Sequence, residues 1–122
     1  MAGENTRKIG TKYEQMAVDY LKRQGYLILD RNVHAGRYGE LDIVAQKDRL
    51  VVVAEVKYRR TNDHGDPLEA VSRTKQRRIS RCTLYYLAKR GLGTDVQVRF
   101  DVIAVYGDER IRHVENAFEF QG

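Results

Sequence analysis

The stretch Leu50-Val51-Val52-Val53-Ala54-Glu55-Val56-Lys57 limits what this chain can fold into more than any other. Consecutive β-branched valines resist a helix and suit the pleated surface of a strand. A run that is apolar on both strand faces must be covered from both sides, as in a central strand flanked by helices. Just before it, Leu41, Ile43 and Ala45 alternate with Glu40, Asp42 and Val44, and Gln46-Lys47-Asp48-Arg49 forms a polar break. Together these predict a β-hairpin from Gly39 to Arg59. Glu55 and Lys57 are two apart and share one sheet face, with Val56 on the other. Pairing of the hairpin places Asp42 beside Glu55. Two carboxylates and an ammonium then meet at the edge of an apolar wall.

That arrangement is costly unless something neutralises it. A buried charge costs several kcal/mol when unpaired, roughly, and adjacent carboxylates repel, raising one pKa. A divalent cation removes the conflict: Mg²⁺ favours carboxylate and water oxygens together with substrate phosphate. A lysine alongside orients a water or stabilises charge developing on phosphate. The alternative is a structural Glu–Lys or Asp–Lys pair on a solvated sheet face.

The chain has 122 residues, which predicts one domain, 1–122, with residues 1–6 as a loose polar arm. Its single cysteine excludes an internal disulfide and suits a reducing compartment. No apolar run reaches membrane-span length and no signal-peptide core opens the chain, so the expectation is a cytoplasmic protein with no membrane partner. The net charge of +5 admits a polyanionic partner.

Arg7 to Gln24 reads as a helix with Ile9, Tyr13, Met16, Ala17, Tyr20 and Leu21 as its apolar stripe, stopped by Gly25. Glu14 lies at the flank of that stripe. It either reaches inward or pairs at the surface with Arg7 or Lys22. Tyr26–Val33 reads as a strand, followed by a Gly-rich turn. Arg59 and Arg60 open a polar loop after the central strand, placed either to meet phosphates or simply to be solvated. Asp66-Pro67-Leu68-Glu69 carries the signals of a helix start, with a break expected near Ser72. The segment holding Arg73, Lys75, Arg77, Arg78 and Arg81 is the most basic in the chain. It is either a solvated face or a phosphate contact. Lys75 and Gln76 are best placed to reach back to the sheet. Val96–Tyr106 and Ile111–Val114 complete the strands. Asp101, inside an apolar strand, is expected to pair with Arg99 or a helix arginine. The order α-β-β-β-α-β-β predicts an α/β fold with a mixed β-sheet flanked by helices. His34, His64 and His113 lack metal-site spacing, and the glycines form neither a P-loop nor a dinucleotide fingerprint.

Gly10-Thr11-Lys12-Tyr13-Glu14, Gly39-Glu40-Leu41-Asp42, Glu55-Val56-Lys57, Pro67-Leu68-Glu69-Ala70-Val71 and Arg99-Phe100-Asp101-Val102 stand in the order and spacing of a known pattern. The chain resembles the PD-(D/E)XK nuclease superfamily, and within it the uncharacterised bacterial YraN-like family, similar to archaeal Holliday-junction resolvases. Leu41 stands where the superfamily pattern has proline. The resemblance implies a restriction-endonuclease-like core and Mg²⁺, or Mn²⁺ in its place, held by Asp42 and Glu55 with Glu14 assisting through a water. It also implies that Lys57 positions the hydrolytic water and that Gln76 orients a neighbour. A homodimer acting on DNA follows from the junction-resolving relatives. The expected nucleic-acid contacts are Arg59, Arg60, Arg73, Lys75, Arg77 and Arg78. The expected function is a metal-dependent endonuclease acting on branched or damaged DNA. Its rivals are a non-catalytic nucleic-acid-binding module and an adaptor of DNA-processing machinery.

Overall fold

A computed structural model describes residues 2–67, 71–93 and 95–122. The elements are α1 (Ala2–Arg23), β1 (Leu27–His34), a 3-10 turn (Gly36–Tyr38), β2 (Glu40–Lys47), β3 (Leu50–Arg59), α2 (Arg73–Arg90), β4 (Gln97–Tyr106) and β5 (Ile111–Phe118). This is the α-β-β-β-α-β-β order that the sequence predicts. The strands form one five-stranded sheet in the order β1-β2-β3-β4-β5. β3 and β4 are parallel and the other three pairings antiparallel. The parallel pair needs a long crossover, which α2 supplies. The result is a small α/β fold consistent with a restriction-endonuclease-like core.

The valine run behaves as its composition demands. Val51 and Val53 pack in a cluster with Ile79, Cys82 and Tyr86 of α2. Val52 and Ala54 pack in a second cluster with Ala17, Val18 and Leu21 of α1. β3 is therefore covered on both faces. Each fully buried valine or leucine contributes about 1.5–3 kcal/mol relative to exposure, so these two clusters fix the register of the hairpin that carries the charged residues.

The helix ends follow local chemistry. After α1, Gly25 sits at φ 92°, and the Tyr26 N–H donates to the Leu21 carbonyl at 3.0 Å, a Schellman-type stop. α1 begins at Ala2, so residues 2–6 are helical and not the loose arm read from the sequence; Met1 lies outside the described residues. At α2, the Ser72 hydroxyl accepts from the Lys75 N–H at 3.2 Å. The expected break near Ser72 is thus a true N-cap. Pro67 is in a short 3-10 turn, while Leu68, Glu69 and Ala70 of the predicted helix start lie outside the described residues. β5 runs on to Phe118, past the predicted end at Val114. A bulge between the Phe100↔Phe118 and Val102↔Val114 pairs lets the strand resume.

Among the described residues, no helix is long and apolar enough to cross a membrane.

Candidate active site

The central hairpin and the start of α2 frame a cleft of about 500 Å³, lined in part by Tyr38, Asp42, Glu55, Ser72, Lys75 and Arg78. The β2–β3 ladder reaches Ile43↔Ala54. One step beyond, the Asp42 carboxylate accepts the Val56 N–H at 2.9 Å. A side chain thus supplies the acceptor for that strand N–H and holds Asp42 at the level of Glu55. Gly39 makes the approach possible. It sits at φ 114° and ψ −144°, a conformation open essentially to glycine alone, and it turns the chain from the 3-10 turn into β2.

Glu55 is the anomalous residue. It is 3% exposed, yet among the described residues its only ion pair is to Lys75 Nζ, 3.6 Å from Oε1. Its Oε2 is buried and has no hydrogen-bond partner among the described residues. Burial, then the neighbouring Asp42 carboxylate, push its pKa from 4.5 up to about 8, against the pull of Lys75 and Lys57. Lys57 is half-buried. Burial first, then the nearby Lys75 ammonium, lower its pKa, while Glu55 and Asp42 oppose the shift. At neutral pH, Glu55 therefore favours its protonated form. Lys75 and Arg78 on the cleft wall then make it attractive to phosphate. A divalent cation could replace the proton on Glu55.

The start of α2 adds to this field. Ser72 and Thr74 line the cleft with Lys75, placing the positive end of the helix dipole at its wall.

The profile of the uncharacterised protein family UPF0102 matches residues 13–105. The chain belongs to UPF0102. A UPF0102 protein of Syntrophotalea carbinolica is 49% identical over 117 residues, covering 93% of this chain and 94% of that relative. One from Geobacter sulfurreducens is 45% identical over 122 residues, covering 96% and 94%. One from Thermodesulfovibrio yellowstonii is 40% identical over 111 residues, covering 91% and 96%. The family-level resemblance stated from sequence is thereby met.

In this UPF0102 chain, the residues singled out from sequence divide into two groups. Asp42, Glu55, Lys57 and Lys75 come together, and Arg78 joins them on the cleft wall. Glu14 does not line the cleft. Its carboxylate accepts from Arg31 Nε at 3.3 Å and Asn32 Nδ2 at 2.9 Å, so among the described residues its partners are these two and not Lys22, while the side chain of Arg7 lies outside the described residues. Gln76 donates to the Val71 carbonyl at 3.0 Å and steadies the chain entering α2. Arg59 is drawn back to Asp63 at 3.5 Å. Arg60, Arg73 and Arg77 are exposed and outside the cleft lining. Among the described residues, no group of three or more His, Cys, Asp or Glu side chains is placed to hold a metal ion.

Sequence reasoning missed Tyr38, Arg37 and Ser72 as site neighbours. Ser72 carried a signal, because a cap at a helix break is often also a cleft residue. Arg37 and Tyr38 carried none, since a turn of this kind reveals its partners only once the sheet has formed.

Proposed function

We propose that this UPF0102 protein is a metal-dependent endonuclease that hydrolyses DNA phosphodiesters, with branched or damaged DNA as its substrate. One observation carries the reading: the buried Glu55 has an orphaned Oε2 beside Asp42 and two lysines, on a cleft walled by basic residues. Burying a carboxylate so incompletely satisfied makes little sense for stability alone.

The residues fit a hard divalent cation. Mg²⁺ or Mn²⁺ takes oxygen donors, commonly one or two carboxylates plus substrate phosphate, and Asp42 and Glu55 offer that set. When bound, such an ion would activate water and neutralise charge on the scissile phosphate. The chain's own groups do the rest. Lys75 and Arg78 bind and orient the phosphate from the cleft wall. The Val56 N–H holds the Asp42 carboxylate in one orientation. Lys57, its pKa lowered by burial, exchanges a proton more readily than a surface lysine and sits where it can steady the attacking water. On branched DNA, two copies of the chain would bring two clefts to two strands.

A second reading, a binding module without catalysis, draws on Glu14. That carboxylate is committed to Arg31 and Asn32, which leaves Asp42, Glu55 and the His34-paired Glu40 as the acidic residues of the cleft lining among the described residues. One experiment separates the readings. Labelled duplex, single-stranded, flap and four-way-junction DNAs are incubated with Mg²⁺, Mn²⁺ or chelator, using wild type and Glu55→Gln. The nuclease reading expects metal-dependent cutting that falls by about 10³-fold in the variant, roughly the loss of about 4 kcal/mol of transition-state stabilisation. Salt-sensitive binding without cutting by either protein would establish the binding module instead.

A further inference from the structure

Three clefts lie end to end along α2, joined by tyrosines. The candidate active site shares Tyr38 with a neighbouring cleft of about 640 Å³, lined by Arg37, Tyr38, Arg81, Leu84 and Tyr85. That cleft shares Tyr85 with a third, of about 360 Å³, whose walls include Asn32, His34, Lys89 and Arg90. On α2, Arg78, Arg81, Tyr85 and Lys89 recur at helical spacing and form one stripe. The stripe runs away from Glu55 for about 16 Å at ~1.5 Å per residue. Each tyrosine at a junction lies beneath a cation: Arg37 is 5.4 Å from the Tyr38 ring centre and Lys89 is 5.6 Å from that of Tyr85.

This alternation differs from a plain basic face. Phosphates of a duplex need only cations, because duplex bases are stacked on one another and offer no free face. Aromatic rings set between cations are what a strand with unpaired bases requires, since each base presents a π-face to stack. The clefts fall within the ~300–1,000 Å³ range of small-ligand sites, room enough for a base.

We infer that the groove from Tyr38 to Tyr85 is a track for single-stranded DNA that leads an unpaired strand of roughly three to five nucleotides, at about 3.4 Å or more per phosphate, into the Asp42–Glu55 cleft. The inference rests on the nuclease reading for what happens at the end of the track. It specifies the substrate as DNA with an unpaired arm.

The test is equilibrium binding with chelator present, so that no cutting is needed. A fluorescent oligothymidine long enough to span the groove is compared with a duplex of equal length, using fluorescence anisotropy. The wild type is expected to prefer the single strand. Tyr38→Ala and Tyr85→Ala should each weaken single-strand binding about 10-fold, while Tyr38→Phe and Tyr85→Phe retain it because the ring is what stacks. Duplex binding should be unchanged by the two Tyr85 variants, since Tyr85 lies outside the Asp42–Glu55 cleft. Equal affinity for the two DNAs, or alanine variants that bind the single strand like wild type, would overturn the track. The two proposals fail separately. Tyrosine-dependent binding without metal-dependent cutting removes the hydrolysis and keeps the track. Cutting with no tyrosine dependence removes the track and keeps the hydrolysis.

Discussion

Asp101 and Glu55 are both buried carboxylates on the paired strands β4 and β3, yet their surroundings are opposite. Asp101 is 0% exposed and fully engaged. Arg99 grips it with two bonds of 2.8 Å, His113 Nε2 lies 2.7 Å from Oδ2, and the Asn116 N–H donates to Oδ1 at 3.0 Å. Beyond these, Arg99 reaches the Tyr26 hydroxyl and His113 meets Tyr20. Burial works to raise the Asp101 pKa, but His113, Arg99 and the Asn116 N–H outweigh it and hold the carboxyl below its ordinary value. Among the described residues, Glu55 has one loose ion pair and one bare oxygen. Burial is common to both. What separates a structural carboxylate from a candidate ligand is whether its lone pairs are already spoken for.

The largest test of that contrast is Asp101→Ala. It leaves Arg99 and His113 without their shared anion and should cost about 3–5 kcal/mol, read by urea denaturation. A cost below about 1 kcal/mol would show that the network is incidental. Glu55→Gln should act in the opposite direction. With chelator present, it should gain about 1–2 kcal/mol at pH 9 by removing a buried, half-paired charge. The pH dependence fixes the sign. The raised folded pKa of Glu55 means that the contribution of this residue to stability is fully present below 4.5 and is lost as pH rises through about 8. The variant's advantage should therefore vanish towards pH 4.5. Asp101 has a lowered folded pKa, so its contribution is present above the ordinary carboxylate range and is lost only as pH falls through the lower folded value. The two residues thus set opposite limbs of one stability profile, measurable as melting temperature against pH. The smallest effect belongs to Tyr20→Phe, at the outer end of the Asp101 network. Losing one hydrogen bond to His113 should cost about 1 kcal/mol.

Much of this contrast was legible before the fold. The valine run required a central strand, and alternation in Leu41–Ala45 set the pairing that brings Asp42 to Glu55. For Asp101 the sequence left Arg99 and a helix arginine open, and the folded strand gives Arg99. His113 could not be found that way, because its place depends on the Ile103↔His113 register of an edge strand. Glu14 shows the same limit. Helix spacing gave its position at the flank of the stripe, but its partners Arg31 and Asn32 come from β1, whose own course is irregular. A bulge lies between Ile28 and Asp30, and Asn32 sits at φ 50°. Periodicity reports which way a side chain points; it does not report what meets it across a strand that slips register.

The bulge in β5 has a consequence beyond Asp101. Asn116, at φ 52°, turns its N–H inward to the carboxylate, and the strand is an outer edge of the sheet. A regular edge offers an unbroken row of free amides and carbonyls on which another chain can build a fibril. Here the row is interrupted where the chain curls around Asp101. The residue that anchors the core from within thereby also blunts the edge against self-templated aggregation.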